Sequence, residues 1–103
     1  MELVWSCLDR VAKRMDITAV RHGDARGADK LADDWAIIES IPVERMPADW
    51  KGNGGAAGPI RNSEMLKREP VPVAAVAFPG GTGTADMVKK CKRAGVPVWE
   101  VTG

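Results

Sequence analysis

Twice in this sequence a short β-branched or apolar run breaks into a glycine-bearing turn and resumes as a helical pattern, and no other feature restricts the fold as much. In the first instance, residues 17–21 run into His22-Gly23-Asp24-Ala25-Arg26-Gly27. Residues 25–39 follow, with Ala28, Leu31, Ala32, Trp35 and Ile38 at helical spacing. In the second, the continuous apolar run 73–78 turns through Pro79-Gly80-Gly81-Thr82-Gly83-Thr84 into a helical stretch over 85–94. Gly95 is placed to cap that stretch, ahead of a last strand over 96–101.

Helical spacing also governs residues 3–15, where Leu3, Val4, Cys7, Leu8, Val11 and Met15 recur with Asp9, Arg10, Lys13 and Arg14 between them. Residues 42–46 are expected to form a short strand and 47–58 a glycine-rich loop. A short helix is expected over 61–68, because Pro59 suits a first helical turn and Pro70 a stop. Strands alternating with helices through short turns define an α/β fold. The expectation is one domain over residues 1–103, an open and mostly parallel Rossmann-like sheet of about four strands with helices on both faces. The sequence contains no internal repeat, linker or low-complexity segment.

Charge and cysteine usage narrow the partners. Fifteen basic residues against fourteen acidic ones leave a formal charge of +1, and the longest basic group is Lys89, Lys90, Lys92 and Arg93, placed as the solvated end of a helix. Nucleic acid is therefore a poor expectation as partner. Cys7 and Cys91 lie far apart in helical stretches without C-x-x-C spacing, which fits a reduced protein; no metal or other cofactor is expected. The longest apolar run, 71–79, is interrupted by Pro72 and falls well short of the ~20 residues of a membrane span. Glu2 and Trp5 stand where a signal peptide needs a basic and then an apolar segment, so a cytoplasmic location is expected.

In parallel sheets ligands gather beyond the carboxyl ends of the strands, which directs attention to the two turns. The turn Pro79, Gly80, Gly81, Thr82, Gly83, Thr84 lets backbone N–H groups approach an anion without Cβ obstruction, and the next helix aims its positive end at the same place. Such a turn is also a common way to reverse the chain. It is neither a Walker A loop nor G-x-G-x-x-G. Arg61 can offer a planar fork to phosphate or be a surface arginine, and Arg26 carries the same two readings. His22, the sole histidine, ends a strand and can touch ligand, exchange protons or serve the structure. Trp50 is a candidate for stacking on a base; Trp35 and Trp99 lie on apolar faces and read as core.

Taken in order, these pieces resemble the SLOG superfamily, the Rossmann-like group that unites LOG phosphoribohydrolases with DprA/Smf proteins, and within it the YspA-like branch. The resemblance rests on His22-Gly23-Asp24-Ala25-Arg26-Gly27-Ala28-Asp29, on Pro47-Ala48-Asp49-Trp50, on Ala57-Gly58-Pro59-Ile60-Arg61-Asn62 with Met65-Leu66, and on residues 77–87 around the P-G-G-x-G-T motif. It spans residues 17–101 and implies a nucleotide or nucleotide-derived ligand. His22, Gly23, Arg26, Gly27, Asp29, Trp50, Arg61 and Asn62 are then candidate contacts, and the turn 79–84 would hold the phosphoribosyl part.

LOG enzymes extend that motif to P-G-G-x-G-T-x-x-E and use its glutamate with an upstream arginine to cleave an N-glycosidic bond. Arg61 matches the arginine, whereas Met87 occupies the glutamate position and Asp86 lies one residue earlier. One residue on a helix rotates a side chain by ~100°, so Asp86 is not a simple replacement. Arg61 and Asp86 are the candidate catalytic pair if hydrolysis occurs. Family members also open with a strand and an arginine-bearing glycine turn that these residues lack, so the sheet is expected without its usual first strand. The resulting expectation is a nucleotide-binding or sensing module that self-associates. A phosphoribohydrolase is the alternative, and a DprA-like binder of single-stranded nucleic acid comes third.

Overall fold

The computed structural model describes residues 3–102 and divides the chain into two compact units, Met1–Pro47 and Ala48–Gly103. In the first, helix α1 (Leu3–Arg14) precedes strand β1 (Val20–His22), helix α2 (Ala28–Ile38) and strand β2 (Val43–Arg45). In the second, a single helical turn α3 (Trp50–Asn53) and a 3-10 turn (Gly54–Ala56) lead into helix α4 (Ala57–Lys67). Strand β3 (Ala75–Ala77), helix α5 (Thr82–Ala94) and strand β4 (Val98–Glu100) complete it.

Each unit contains one parallel strand pair joined by its own helix. Val20, Arg21 and His22 align with Val43, Glu44 and Arg45, and Ala75, Val76 and Ala77 align with Val98, Trp99 and Glu100. Backbone bonds extend both ladders, from Val20 N–H to the Pro42 carbonyl and from Met46 N–H to that of His22. Their counterparts run from Ala75 N–H to Pro97 and from Val101 N–H to Ala77. Parallel pairing needs a crossover connection, and α2 and α5 supply it. The expected sheet of about four strands is thus corrected to two pairs. β1 pairs with β2 and β3 with β4, because each crossover helix returns the chain beside the strand it has just left.

The first unit is held by its helices. Val4, Cys7 and Leu8 on α1 and Ala32, Trp35 and Ala36 on α2 are buried. Two tryptophans also tie the helices together, with Trp5 Nε1 donating to the Leu31 carbonyl and Trp35 Nε1 to Asp9 Oδ1, each at 2.9 Å. A buried indole needs an acceptor for its N–H, and here the opposite helix provides one each way.

In the second unit the buried apolar residues are Ala57, Cys91 and Val101. Trp99, expected in the core, is 39% exposed on β4. The expected loop 47–58 is partly helical as well. Asp49 Oδ1 accepts the Gly52 amide at 3.0 Å and so caps α3, which overrides the low helix propensity of the glycines that follow. Helix α4 starts at Ala57, with Pro59 inside its first turn where a missing N–H costs nothing. Gly95 ends α5 in the left-handed region at φ 77°, as its position in the sequence suggests. No helix among the described residues is long and apolar enough to cross a membrane.

Candidate functional site

The start of α5 in the second unit has its backbone donors unengaged by any capping side chain. Ala85 N–H bonds the Gly81 carbonyl at 3.1 Å, so the amides of Thr82, Gly83 and Thr84 precede the first such bond of the helix. Gly81 caps with no side-chain hydrogen bond, and the first turn contains no acidic residue. Pro79 and Gly80 lead into it. A Cβ on Gly80 would lie 2.5 Å from Thr84 Oγ1 and 3.2 Å from Thr84 Cβ, so the threonine folds over this residue and would have to shift to admit a side chain there.

A polar network joins this turn to α4. Asn62, 4% exposed, donates through Nδ2 to the Gly83 carbonyl at 3.2 Å and to Asp86 Oδ2 at 3.0 Å. Its Oδ1 accepts from Arg61 Nε at 3.0 Å. Lys90 Nζ bonds the same Asp86 oxygen at 2.6 Å and the Pro59 carbonyl at 3.1 Å. The Lys90 ammonium, and after it the Asn62 amide, hold Asp86 below the usual carboxylate range. Asp86 is therefore an ionised group already half engaged by a cation. Trp50, 61% exposed on α3, has its ring against Gly58, where an added Cβ would meet Cη2 at 3.6 Å. Gly58 precedes Arg61 by three residues on α4, so Trp50 packs on the helix face to which Arg61 belongs.

The turn 22–29 of the first unit is built differently. Gly23 N–H and Ala25 N–H both donate to Asp29 Oδ2 at 3.1 Å, and Asp24 N–H donates to His22 Nδ1 at 2.9 Å. Since an amide can only donate, Nδ1 is the accepting nitrogen and Nε2 carries the hydrogen. Nε2 in turn donates to Asp33 Oδ2 at 2.7 Å, and His22 is 4% exposed. Arg45 grips Asp33 with both Nε (2.6 Å) and Nη2 (3.0 Å). Those arginine bonds, helped by His22 and opposed by burial, lower Asp33 to about 2.

Both ring nitrogens of His22 are thus engaged within the unit, and Asp29 places a carboxylate in the first turn of α2. Arg26 and Gly27 are exposed, Gly27 at φ 79°. Sequence reasoning missed Asp33 and Arg45, which no motif marks; they pair because β2 lies beside β1 and α2 packs on both strands. It also missed Lys90, although its spacing of four from Asp86 is a legible helical pair. Burial pushes the Cys91 thiol up, so this sulfur is a packing group. Among the described residues no group of three or more His, Cys, Asp or Glu side chains could hold a metal ion.

These features define a small mixed α/β protein with parallel strand pairs and glycine turns at helix starts. A family model described as YspA, cpYpsA-related SLOG family matches residues 1–52. The Gene 61 protein of Mycobacterium phage D29 is 36% identical over 103 residues, covering 92% of this chain and 81% of that protein. No solved structure matches. The chain belongs to the YspA, cpYpsA-related SLOG family.

Proposed function

We propose that this chain, as one SLOG domain, binds a nucleotide or nucleotide-derived ligand as a binding or sensing module. Its phosphate would sit on the turn Pro79 to Thr84. Family membership suggests nucleotide-related binding or sensing, and the name of the phage relative adds no specific function. The observation that carries the reading is the uncapped, acid-free start of α5 joined through Asn62 to Arg61. A helix dipole contributes about 0.3–2 kcal/mol toward an anion there, and a charge-assisted hydrogen bond from Arg61 adds about 1.5–3 kcal/mol. The exposed indole of Trp50 supports a stacking role for the base.

Calorimetry with AMP as probe tests the assignment. Arg61→Ala is expected to weaken binding by roughly tenfold to a hundredfold, from the ~1.5–3 kcal/mol of one charged hydrogen bond. Equal affinity in wild type and variant would remove Arg61 from the site. Exposed Leu3 and Met15 in the first unit support self-association, which sedimentation at high micromolar concentration measures.

A second reading, phosphoribohydrolase activity, draws support from the ionised Asp86, since glycosidic cleavage develops positive charge on the ribose. Lys90 offsets that support by neutralising the carboxylate. Release of free adenine from AMP, abolished by Asp86→Asn, would establish this reading over binding alone.

A further inference from the structure

We propose that the tip of the turn after β1 is a proton-operated switch, in which the Asp24 amide is fastened while the buried His22 ring is neutral and released when Nδ1 takes up a proton. The reading concerns the first unit and is independent of the ligand site in the second. The turn is fastened by three amide bonds, of which Gly23 and Ala25 share one carboxylate oxygen of Asp29 and Asp24 depends on His22 Nδ1 alone. Asp24 needs that fastening most, because it is held at φ 56°, in the left-handed region that non-glycine residues avoid. The chemistry at Nδ1 is all or nothing. A proton taken from solvent puts an N–H where the ring lone pair accepted the Asp24 amide, and two donors then face each other across 2.9 Å. The Nε2–H bond to Asp33 survives the change and becomes an ion pair, so the ring stays in place while Asp24 loses its fastening and Gly23 and Ala25 keep theirs on Asp29.

The charged groups around the ring come from every neighbouring element. α2 supplies Asp33 and Asp29, the turn supplies Asp24, and β2 supplies Arg45, which is committed to Asp33. Arg21 and Glu44 pair with each other at the preceding register position, where side chains alternate to the other face of the strand pair, and Lys30 pairs with Asp34 along α2. Of these groups Asp33 alone touches the ring, at Nε2, and Arg45 is bonded to that same carboxylate. The Asp24 residue is already exposed, and its backbone amide is the group the transition would unfasten.

Nitrogen-15 NMR of the whole chain, titrated over the pH range in which it stays folded, tests the switch. The neutral ring is expected to show the Nε2–H tautomer. As it protonates, the Asp24 amide should shift and lose hydrogen-exchange protection with the same midpoint as the ring. His22→Asn keeps an acceptor near the Nδ1 position without a titrating group, and in that variant the Asp24 amide should stay protected at every pH. The proposal is overturned by a ring that never titrates in the folded protein, by an Asp24 amide that ignores the ring's titration, or by an unchanged pH response in His22→Asn. Should His22→Asn fail to fold, the coincidence or separation of the two wild-type midpoints still decides.

Discussion

Apart from α3 and the 3-10 turn that open the second, both units run helix, strand, helix, strand, yet they join their helices with different chemistry. α1 and α2 meet through buried apolar side chains and two indoles that each find an acceptor on the opposite helix. α4 and α5 meet through a carboxamide, a carboxylate and an ammonium. The turns differ in the same sense. The turn after β1 consumes its amides on Asp29 and His22, whereas the turn before α5 has neither a side-chain cap nor an acid in the first helical turn. A polar joint costs stability relative to an apolar one, but it fixes the direction of groups that a ligand can read. The helices of the first unit are joined mainly by apolar packing, and those of the second by a polar network.

The sharpest way to break this contrast is to remove one large contact from the first unit. Trp35, 2% exposed and bonded to Asp9, should cost about 3–5 kcal/mol when changed to alanine. Denaturant unfolding measures this, and a loss under ~1 kcal/mol, the scale of a lone neutral hydrogen bond, would mean that the α1–α2 joint is not the anchor described. Asn62→Ala comes next, at about 1–3 kcal/mol for leaving the partners of a buried amide unsatisfied. That variant should also lose AMP affinity, because Arg61 and Gly83 are released together; loss of stability with full affinity would separate the joint from the site.

Acid should act on the first unit through Asp33. Its folded pKa, about 2, lies below the ordinary 3.8, so the stability it contributes is present above pH 3.8 and is lost as pH falls through about 2. Arg45→Met removes the main cause of the depression and should move that loss to higher pH, as circular dichroism during acid titration would register. Smallest of all is Lys90→Met, where an i, i+4 pair is worth about 0.3–0.5 kcal/mol. Its visible consequence should be a rise of the Asp86 pKa toward the ordinary carboxylate range, read by carbon-13 NMR.

The parts of this molecule legible in the sequence are those that periodicity or backbone conformation dictates. The apolar spacing of Leu3, Val4, Cys7, Leu8 and Val11 marks α1, and Gly95 marks the end of α5, because both reflect local rules. α3 was hidden behind Gly52, Gly54 and Gly55, and only the cap offered by Asp49 signalled it. Trp99 misled because an apolar strand pattern does not say whether anything covers its face. The family motifs brought Arg61, Asn62 and the glycine turn to attention, and the contacts of Asn62 tie them into one network. The His22–Asp33–Arg45 cluster was illegible because it forms only once two strands and a helix have met.

Under the proposed function the phosphate sits on the turn before α5 and not on the turn after β1. Nitrogen-15 amide shifts on titration with AMP test it most directly, since both turns are read in one experiment. Saturable shifts are expected at Gly81, Thr82, Gly83 and Thr84, with Gly23, Asp24 and Ala25 unmoved because their N–H groups already have acceptors. Saturable shifts confined to Gly23, Asp24 and Ala25, with the α5 turn silent, would contradict it.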